Sequence, residues 1–157
     1  MQKDFIIVLA WPEGMVTAAG AWYDSVLATN GKYRVGHSAL VLVNSETKQL
    51  HYFDFGRYHT PTGFGRVRDK ETDPDVSLKT KVVIKDNSIT NIESIILELA
   101  YTKATHGEGK LFASVLKNID YKKGYDYAKS VQDRGCIAYG PLVIQGTNCS
   151  RFVARVM

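Results

Sequence analysis

A β-hairpin is the sequence feature that most constrains the fold of this chain. Residues 37–43 form a β-rich apolar run, residues 44–47 are turn-like, and residues 48–55 alternate and are rich in aromatic side chains. β-branched and aromatic residues on both sides of a short polar turn are typical of two antiparallel strands. The sequence therefore predicts an antiparallel sheet that contains this hairpin.

Further strands and one long connection are predicted around the hairpin. Residues 4–10 form a short apolar run that reads as a buried strand, and residues 12–34 are irregular. Residues 56–78 contain Gly, Pro and several arginines, and they read as a long connection. A loop of this length is often a lid or a binding loop, although it can also be a peripheral excursion. Residues 79–85 are predicted to form another strand.

Most of the predicted helices lie in the second half of the chain. Thr90 and Glu93 form an S/T-x-x-E capping box, which predicts a helix that starts at Thr90. The later elements are helices over 110–119 and 125–134, a strand over 136–144, and a last helix from about Asn148. Strands followed by helices indicate an α+β protein rather than alternating βα units. We predict one domain over residues 1–157, with an antiparallel sheet packed against helices.

Composition excludes several classes of protein. Lysine and arginine number 20 against 16 acidic residues, without a basic run, so we do not expect nucleic-acid binding. The apolar stretch 5–10 is too short for a signal peptide or a membrane span, which predicts a cytoplasmic protein without a membrane anchor. Two cysteines are too few for a disulfide framework, and no cofactor or metal motif is present.

Cys149 is the candidate nucleophile. It follows Gly146-Thr147-Asn148 and opens the last predicted helix. A helix N-terminus has unpaired N–H groups and a positive potential, and both stabilise the reactive thiolate and an oxyanion. The alternative is a buried structural cysteine, which is the commonest fate of free cysteine. The second cysteine, Cys136, starts a predicted strand and is interpreted as structural.

His37 is the candidate base for this cysteine. It lies at the start of an apolar strand, from where its side chain can reach toward a helix N-terminus. A cysteine nucleophile needs such a base to hold the thiolate and to protonate the leaving group. The alternative is a histidine at a strand end with only a structural hydrogen bond.

The hairpin also supplies a third group to orient the imidazole. If residues 44–47 form a four-residue loop, Val43 faces Lys48 and His37 faces Asp54 on the same side of the sheet. A loop of odd length would bring His51 to that side instead. We prefer Asp54, because a carboxylate also stabilises an imidazolium ion.

Two segments resemble a known family. Residues 36–42 (GHSALVL) and 148–153 (NCSRFV) look like the two motifs of circularly permuted NlpC-like, papain-related cysteine hydrolases, in particular of the lecithin:retinol acyltransferase-like branch. In the permuted order the histidine hairpin comes first and the cysteine helix last, as in this chain. The resemblance implies a papain-like fold, with an antiparallel sheet packed on the cysteine helix. It also implies Cys149 as nucleophile, His37 as base, and Asp54 or His51 as the third residue.

We therefore predict a cysteine-dependent hydrolase of amide, peptide or ester bonds that works through a thioester acyl-enzyme. The alternatives are a non-catalytic domain that binds a ligand or peptide on the same fold, and an acyltransferase. Lipid acyl transfer is less expected than hydrolysis of a soluble or cell-wall-type amide, because no membrane anchor is present. No cofactor is implied. The candidate substrate-binding residues are Tyr23, Arg66 and Asn148, and Arg68 is a second arginine able to bind a carboxylate bidentately.

Overall fold

The computed structural model describes residues 4–17, 24–140 and 142–157. Its strands are β1 (Asp4–Trp11), β2 (Met15–Thr17), β3 (Lys32–Arg34), β4 (His37–Val43), β5 (Leu50–Gly56), β6 (Phe64–Arg68), β7 (Ile84–Lys85), β8 (Ser88–Ile89), β9 (Phe112–Ile119) and β10 (Ile137–Ala138). Its helices are α1 (Asp24–Leu27), α2 (Ile92–Tyr101), α3 (Tyr121–Asp133) and α4 (Cys149–Val156), with 3₁₀ turns at Pro74–Val76 and Lys103–Thr105.

One six-stranded antiparallel sheet organises the fold, with strand order β10-β6-β5-β4-β1-β9. The predicted α+β class with an antiparallel sheet is confirmed. Side chains alternate between the two faces of the sheet, so each face has its own apolar core. One core includes Val41 and Tyr52 with Ile95 and Leu99 of α2. The other is formed by strand residues such as Phe53, which pack against residues of α3 and α4 such as Phe152.

The predicted hairpin is confirmed as β4 and β5, although its loop is longer than expected. Val43 pairs with Leu50, so six residues rather than four connect the strands, and the predicted pairing of Val43 with Lys48 is wrong. The side-chain oxygen of Asn44 accepts hydrogen bonds from two backbone N–H groups of the loop and holds this wider turn. Because six, like four, is an even number, Asp54 lies on the same face of the sheet as His37, as predicted. Its partner on β4 is Ala39 and not His37.

The predicted helix over residues 110–119 is wrong, because this segment forms the edge strand β9. Phe112, Val115, Leu116 and Ile119 have the spacing of a helical stripe, which explains the prediction. In the folded chain β1 offers an open edge, and pairing with it satisfies the backbone of the segment. Phe112 and Leu116 remain exposed on the strand. Tertiary pairing thus overrides local periodicity here.

Three other element boundaries differ from the predictions. The long connection contains β6, which continues the central sheet, and only Ile84 and Lys85 of the strand predicted over residues 79–85 are in a strand. The capping box is not formed: the hydroxyl of Thr90 donates to the carbonyl of Val83, and the helix begins at Ile92 without a side-chain cap.

The boundaries of two C-terminal elements also differ from the predictions. Helix α3 begins at Tyr121, earlier than expected, because the side chain of Asp120 caps it by accepting the N–H of Lys123. Among the described residues of the strand predicted over 136–144, only Ile137–Ala138 is in a strand. Within the described parts of the chain, no helix has the length and apolar character needed to cross a membrane.

Candidate active site

Helix α4 places Cys149 at the end of the sheet. The apolar side chains Phe152, Val153 and Val156 bury one side of the helix against the core. The side chain of Asn148 accepts the N–H of Arg151 at 2.8 Å and fixes the first turn. Cys149 is therefore the first residue of a capped helix, where backbone N–H groups have no partner inside the helix. Its side chain is buried.

The strand order brings His37 to the same place. His37 starts β4, pairs with Trp11 of β1, and its ring stacks on the Trp11 indole with centroids 5.6 Å apart. Gly36 has φ +69°, and a Cβ on it would lie 2.9 Å from the carbonyl oxygen of Trp11, so only glycine fits this entry into the strand. The His37 ring and the Cys149 thiol lie close enough for each to shift the pKa of the other: Cys149 raises that of His37, and His37 lowers that of Cys149. The predicted meeting of these two side chains is thus present.

Asp54 is the third member of this arrangement. Its carboxylate is fully buried, and its Oδ2 lies 3.3 Å from Nε2 of His37. Because Nε2 faces Asp54, the other ring nitrogen, Nδ1, is left for the thiol. His51 is three residues from Asp54 and therefore lies on the opposite face of the sheet, where it packs on Phe53. The structure therefore joins Asp54, and not His51, to His37.

Three side chains hold Asp54, and the sequence analysis did not predict this role for any of them. Arg68 donates from Nε to Oδ1 at 3.0 Å and from Nη2 to Oδ2 at 2.6 Å. The hydroxyls of Tyr52 and Tyr58 donate to Oδ2 at 2.9 and 3.0 Å. The hydroxyl of Tyr58 also lies 3.3 Å from Nε2 of His37, and the Arg68 guanidinium stacks on its ring at 3.3 Å. The alternation of β5 places Tyr52 beside Asp54, which is a signal that the sequence already contained.

Electrostatics in this cluster favour a charged pair. Burial lowers the pKa of His37, but hydrogen bonds and charges from Asp54 and Cys149 outweigh it and raise the pKa to about 9. Burial raises the pKa of Cys149, yet the hydrogen bond and charge of His37 lower it overall. Burial opposes ionisation of Asp54, but His37 and Arg68 lower its pKa to about 2. Near neutral pH His37 is therefore an imidazolium and Asp54 a carboxylate, and both the charge and the contact of His37 favour ionisation of the Cys149 thiol.

Two serines complete the surroundings of the sulfur. The backbone of Ser38 lies near Cys149 and lowers the pKa of the thiol further. The Ser150 hydroxyl lies 3.9 Å from the sulfur and 3.3 Å from the Ser38 hydroxyl. The sulfur thus faces several hydrogen-bond donors, which stabilise negative charge.

A cleft of about 430 Å³ opens beside His37. Its walls include Tyr58, His106 and Tyr139. His37 lines the cleft, whereas Cys149 does not and is only 6% exposed. The cleft is large enough for a peptide-sized group, because ligand pockets usually measure about 300–1,000 Å³.

Comparison with known proteins agrees with this fold. The family model of type VI secretion system effectors of the TseH-like type matches residues 6–157. The chain belongs to this TseH-like family. The crystal structure of the type VI secretion system effector TseH is similar to the chain with a TM-score of 0.68 and 23% sequence identity. The likeness covers 99% of this chain and 75% of TseH, and it shows a shared fold. No curated protein sequence matches the chain.

The residues predicted to bind substrate have other partners in this TseH-like chain. Arg66 forms a bidentate ion pair with Asp73, with both N–O distances 2.7 Å, and donates to the carbonyl of Tyr58. Arg68 binds Asp54. Both arginines were expected to bind a substrate carboxylate, but the carboxylate that each one binds belongs to the chain. Tyr23 lies outside the described residues.

Asn148 and Cys136 have surroundings that differ from those predicted. Asn148, predicted to contact substrate, directs its side-chain oxygen into the first turn of α4. Cys136, interpreted as structural, is exposed and makes no buried contact of the kind that this role implies. Cys149 is the buried cysteine of the two.

Replacing Asn148 by alanine is expected to destabilise the TseH-like fold. The variant loses the hydrogen bond to the N–H of Arg151, and loss of an N-cap costs about 1 kcal/mol. Urea unfolding measures this change, and Asn148→Ser is the matched control because serine also caps helices. Equal stability of the alanine and serine variants would contradict the capping role.

Proposed function

We propose that the chain is a cysteine-dependent hydrolase that cleaves an amide or ester bond through a thioester. One arrangement carries the proposal: Cys149 and His37 lie close enough to shift each other's pKa, and Nε2 of His37 lies 3.3 Å from the buried carboxylate of Asp54. A nucleophile, a base and a group that orients the base are the parts that this chemistry requires. The permuted papain-like arrangement indicated by the sequence motifs is part of the same proposal.

The proposed reaction has two steps. The Cys149 thiolate attacks the substrate carbonyl carbon, and a C–S bond forms as the carbonyl becomes an oxyanion. Free N–H groups at the start of α4 are placed to bind that oxyanion. His37 then gives its proton to the leaving amine or alcohol, and a thioester remains. In the second step His37 removes a proton from water, which attacks the thioester and frees the acid and the thiol.

Membership of an effector family bears on the substrate. A secretion effector acts after export from the cell that makes it, so the predicted cytoplasmic location applies to the producing cell. We extend the proposal to a cell-wall-type peptide as the amide substrate. The half-polar cleft beside His37 supports a peptide rather than a lipid chain, because its walls combine Tyr58, His106 and Thr60.

Alkylation by iodoacetamide tests the reactive pair. At about pH 6 we expect Cys149 to react faster than Cys136, although Cys136 is the exposed cysteine, because only Cys149 has a thiolate stabilised by a neighbouring imidazolium. Mass spectrometry of peptides from the two sites measures the two rates. His37→Ala is expected to slow the reaction of Cys149 and to leave that of Cys136 unchanged.

The same measurement separates an enzyme from a non-catalytic binding domain. A binding domain does not need a thiolate, so its buried cysteine would react slowly and independently of His37. Such a result would overturn the proposed hydrolase. Release of soluble peptides from purified cell wall, by the unmodified but not by the alkylated protein, tests the proposed substrate.

A further inference from the structure

A second cluster of polar side chains lies on the other face of the sheet. His51 lies near the start of β5, Asp69 and Glu71 follow β6, and Lys129 extends from α3. His51 is 5% exposed and Asp69 is fully buried, whereas Glu71 is exposed. None of these residues takes part in the proposed hydrolysis.

His51 has one ring nitrogen that lacks a partner. Its ring packs between Phe53 and Tyr125, with centroids 5.4 and 4.9 Å away. Its Nδ1 lies 3.3 Å from the hydroxyl of Tyr121. Its Nε2 is buried and has no hydrogen-bond partner among the described residues. Leaving a buried polar atom unpaired costs free energy, so Nε2 is an open position for a ligand or a metal.

Two carboxylates converge beside this ring. Oδ1 of Asp69 accepts the backbone N–H groups of Glu71 and Thr72 at 3.0 and 3.1 Å, which fixes the orientation of the carboxylate. Oδ2 of Asp69 and Oε2 of Glu71 lie 3.0 and 2.9 Å from the ammonium nitrogen of Lys129. That ammonium also donates to the side chain of Gln132. The carboxylates are therefore arranged around one positive charge.

We propose that His51, Asp69 and Glu71 form a binding site for a divalent transition-metal ion, with Zn²⁺ as the best fit. One ligand atom from each residue lies within 4.8 Å of the others. Ligands of tetrahedral zinc lie about 2.0–2.2 Å from the metal and therefore about 3.4 Å from each other. The exposed Glu71 can move by the small distance needed, and water supplies the fourth ligand.

The donor set and its surroundings fit this metal. Imidazole nitrogen with carboxylate oxygen suits Zn²⁺ and its neighbours, whereas Mg²⁺ and Ca²⁺ prefer oxygen alone. The Tyr121 hydroxyl at Nδ1 holds the His51 ring, as an outer partner usually does for a metal-binding histidine. Metal binding requires the ammonium of Lys129 to leave the carboxylates, and its long side chain can rotate into solvent.

Such a site would link two parts of the fold, β5 and the segment that follows β6. His51 belongs to β5, while Asp69 directly follows Arg68, the residue that holds Asp54. A metal ion bound only by the folded chain stabilises it in proportion to the logarithm of the metal concentration. We therefore assign the ion a structural role.

Metal titration of the full chain tests the site. Both cysteines are first replaced (Cys136→Ser and Cys149→Ser), so that thiolates cannot bind the metal. We expect calorimetry to show one equivalent of Zn²⁺ bound, and the thermal unfolding temperature to rise with Zn²⁺. Co²⁺ in place of Zn²⁺ is expected to give visible d–d absorption without a sulfur charge-transfer band. Absence of stoichiometric binding would overturn the proposal.

Two substitutions locate the ion without disturbing the core. Glu71→Gln is expected to weaken Zn²⁺ binding by at least about tenfold, as loss of a metal ligand or its supporting partner does. Glu93→Gln, at an exposed acid on α2, is the matched control and is expected to change nothing. Lys129→Met removes the competing ammonium and is expected to strengthen binding. Equal affinity of the Glu71 and Glu93 variants, or weaker binding after Lys129→Met, would overturn the assignment.

Discussion

Replacing Cys149 by serine is expected to lower kcat/KM for hydrolysis by about four orders of magnitude or more, as removal of a nucleophile does in related chemistry. The environment of Cys149 lowers the pKa of a thiol, but a serine hydroxyl ionises far less readily and stays protonated beside His37. Oxygen is smaller than sulfur, so the serine side chain introduces no steric clash and the fold is expected to persist. Release of peptides from purified cell wall measures the loss.

Cys136→Ser is the matched control for this substitution. Cys136 is exposed and lies outside the cluster around His37. We expect full activity from this variant and unchanged thermal unfolding from both. Substantial hydrolysis by the Cys149→Ser protein would show that another group attacks the substrate, and the proposed mechanism would then fail.

Replacing Asp54 by asparagine is expected to affect both activity and stability. The neutral amide no longer stabilises the imidazolium or fixes the tautomer of His37, so kcat/KM should fall by about 10²–10⁴-fold. It also leaves Arg68 buried without its counter-charge, and breaking a buried ion pair costs about 3–5 kcal/mol. Kinetics and urea unfolding on the same preparation measure the two losses.

Asp73→Asn is the matched control for the ion pair. It removes the partner of Arg66, where both side chains are partly exposed, and such pairs contribute only about 0–1 kcal/mol. We expect small changes in stability and none in activity. If Asp54→Asn behaved like Asp73→Asn in both measurements, the carboxylate would have no role in orienting His37.

The pH dependence of unfolding gives an independent measure of how much ionised Asp54 stabilises the fold. Its pKa is about 2 in the folded chain, below the ordinary value of 3.8. The stability that ionised Asp54 contributes is therefore fully present above about pH 3.8 and is lost as the pH falls toward 2. His37 has the opposite sign: its pKa is raised from 6.5 to about 9, so its contribution is present below 6.5 and is lost as the pH rises through 9. The Asp54→Asn protein is expected to show a smaller acid-side loss; the part that remains comes from other carboxyl groups with lowered pKa, such as Asp69 and Asp73.

Helical spacing and strand pairing compete in this chain, and the sequence alone does not decide between them. The stripe of Phe112, Val115, Leu116 and Ile119 fits a helix, yet β1 recruits the segment into the sheet. The opposite case is α4, where cap, apolar stripe and environment agree, and its prediction is accurate. A single sequence reveals local preference, but an open strand edge exists only once the rest of the sheet has formed.

Parity explains why Asp54 lies on the predicted face of the sheet although the loop length was predicted wrongly. The loop has six residues rather than four, but either even number leaves Asp54 on the face of His37. The sequence analysis did not predict that Tyr58 and Arg68 hold Asp54, because residues 56–78 were interpreted as a connection. Arg68 reaches Asp54 because β6 pairs beside β5, whereas Tyr58 lies only four residues after Asp54 in the chain.

The sequence by itself determined the antiparallel hairpin, the helix that begins at Cys149, and the side of the sheet on which Asp54 lies. These features follow from alternation, capping and parity, which act between residues close in the chain. Only the tertiary structure decided the contact of Cys149 with His37, the ion pair that buries Asp54, and the cluster around His51. Each of these joins segments far apart in sequence, and their relative position is set by strand order and helix packing.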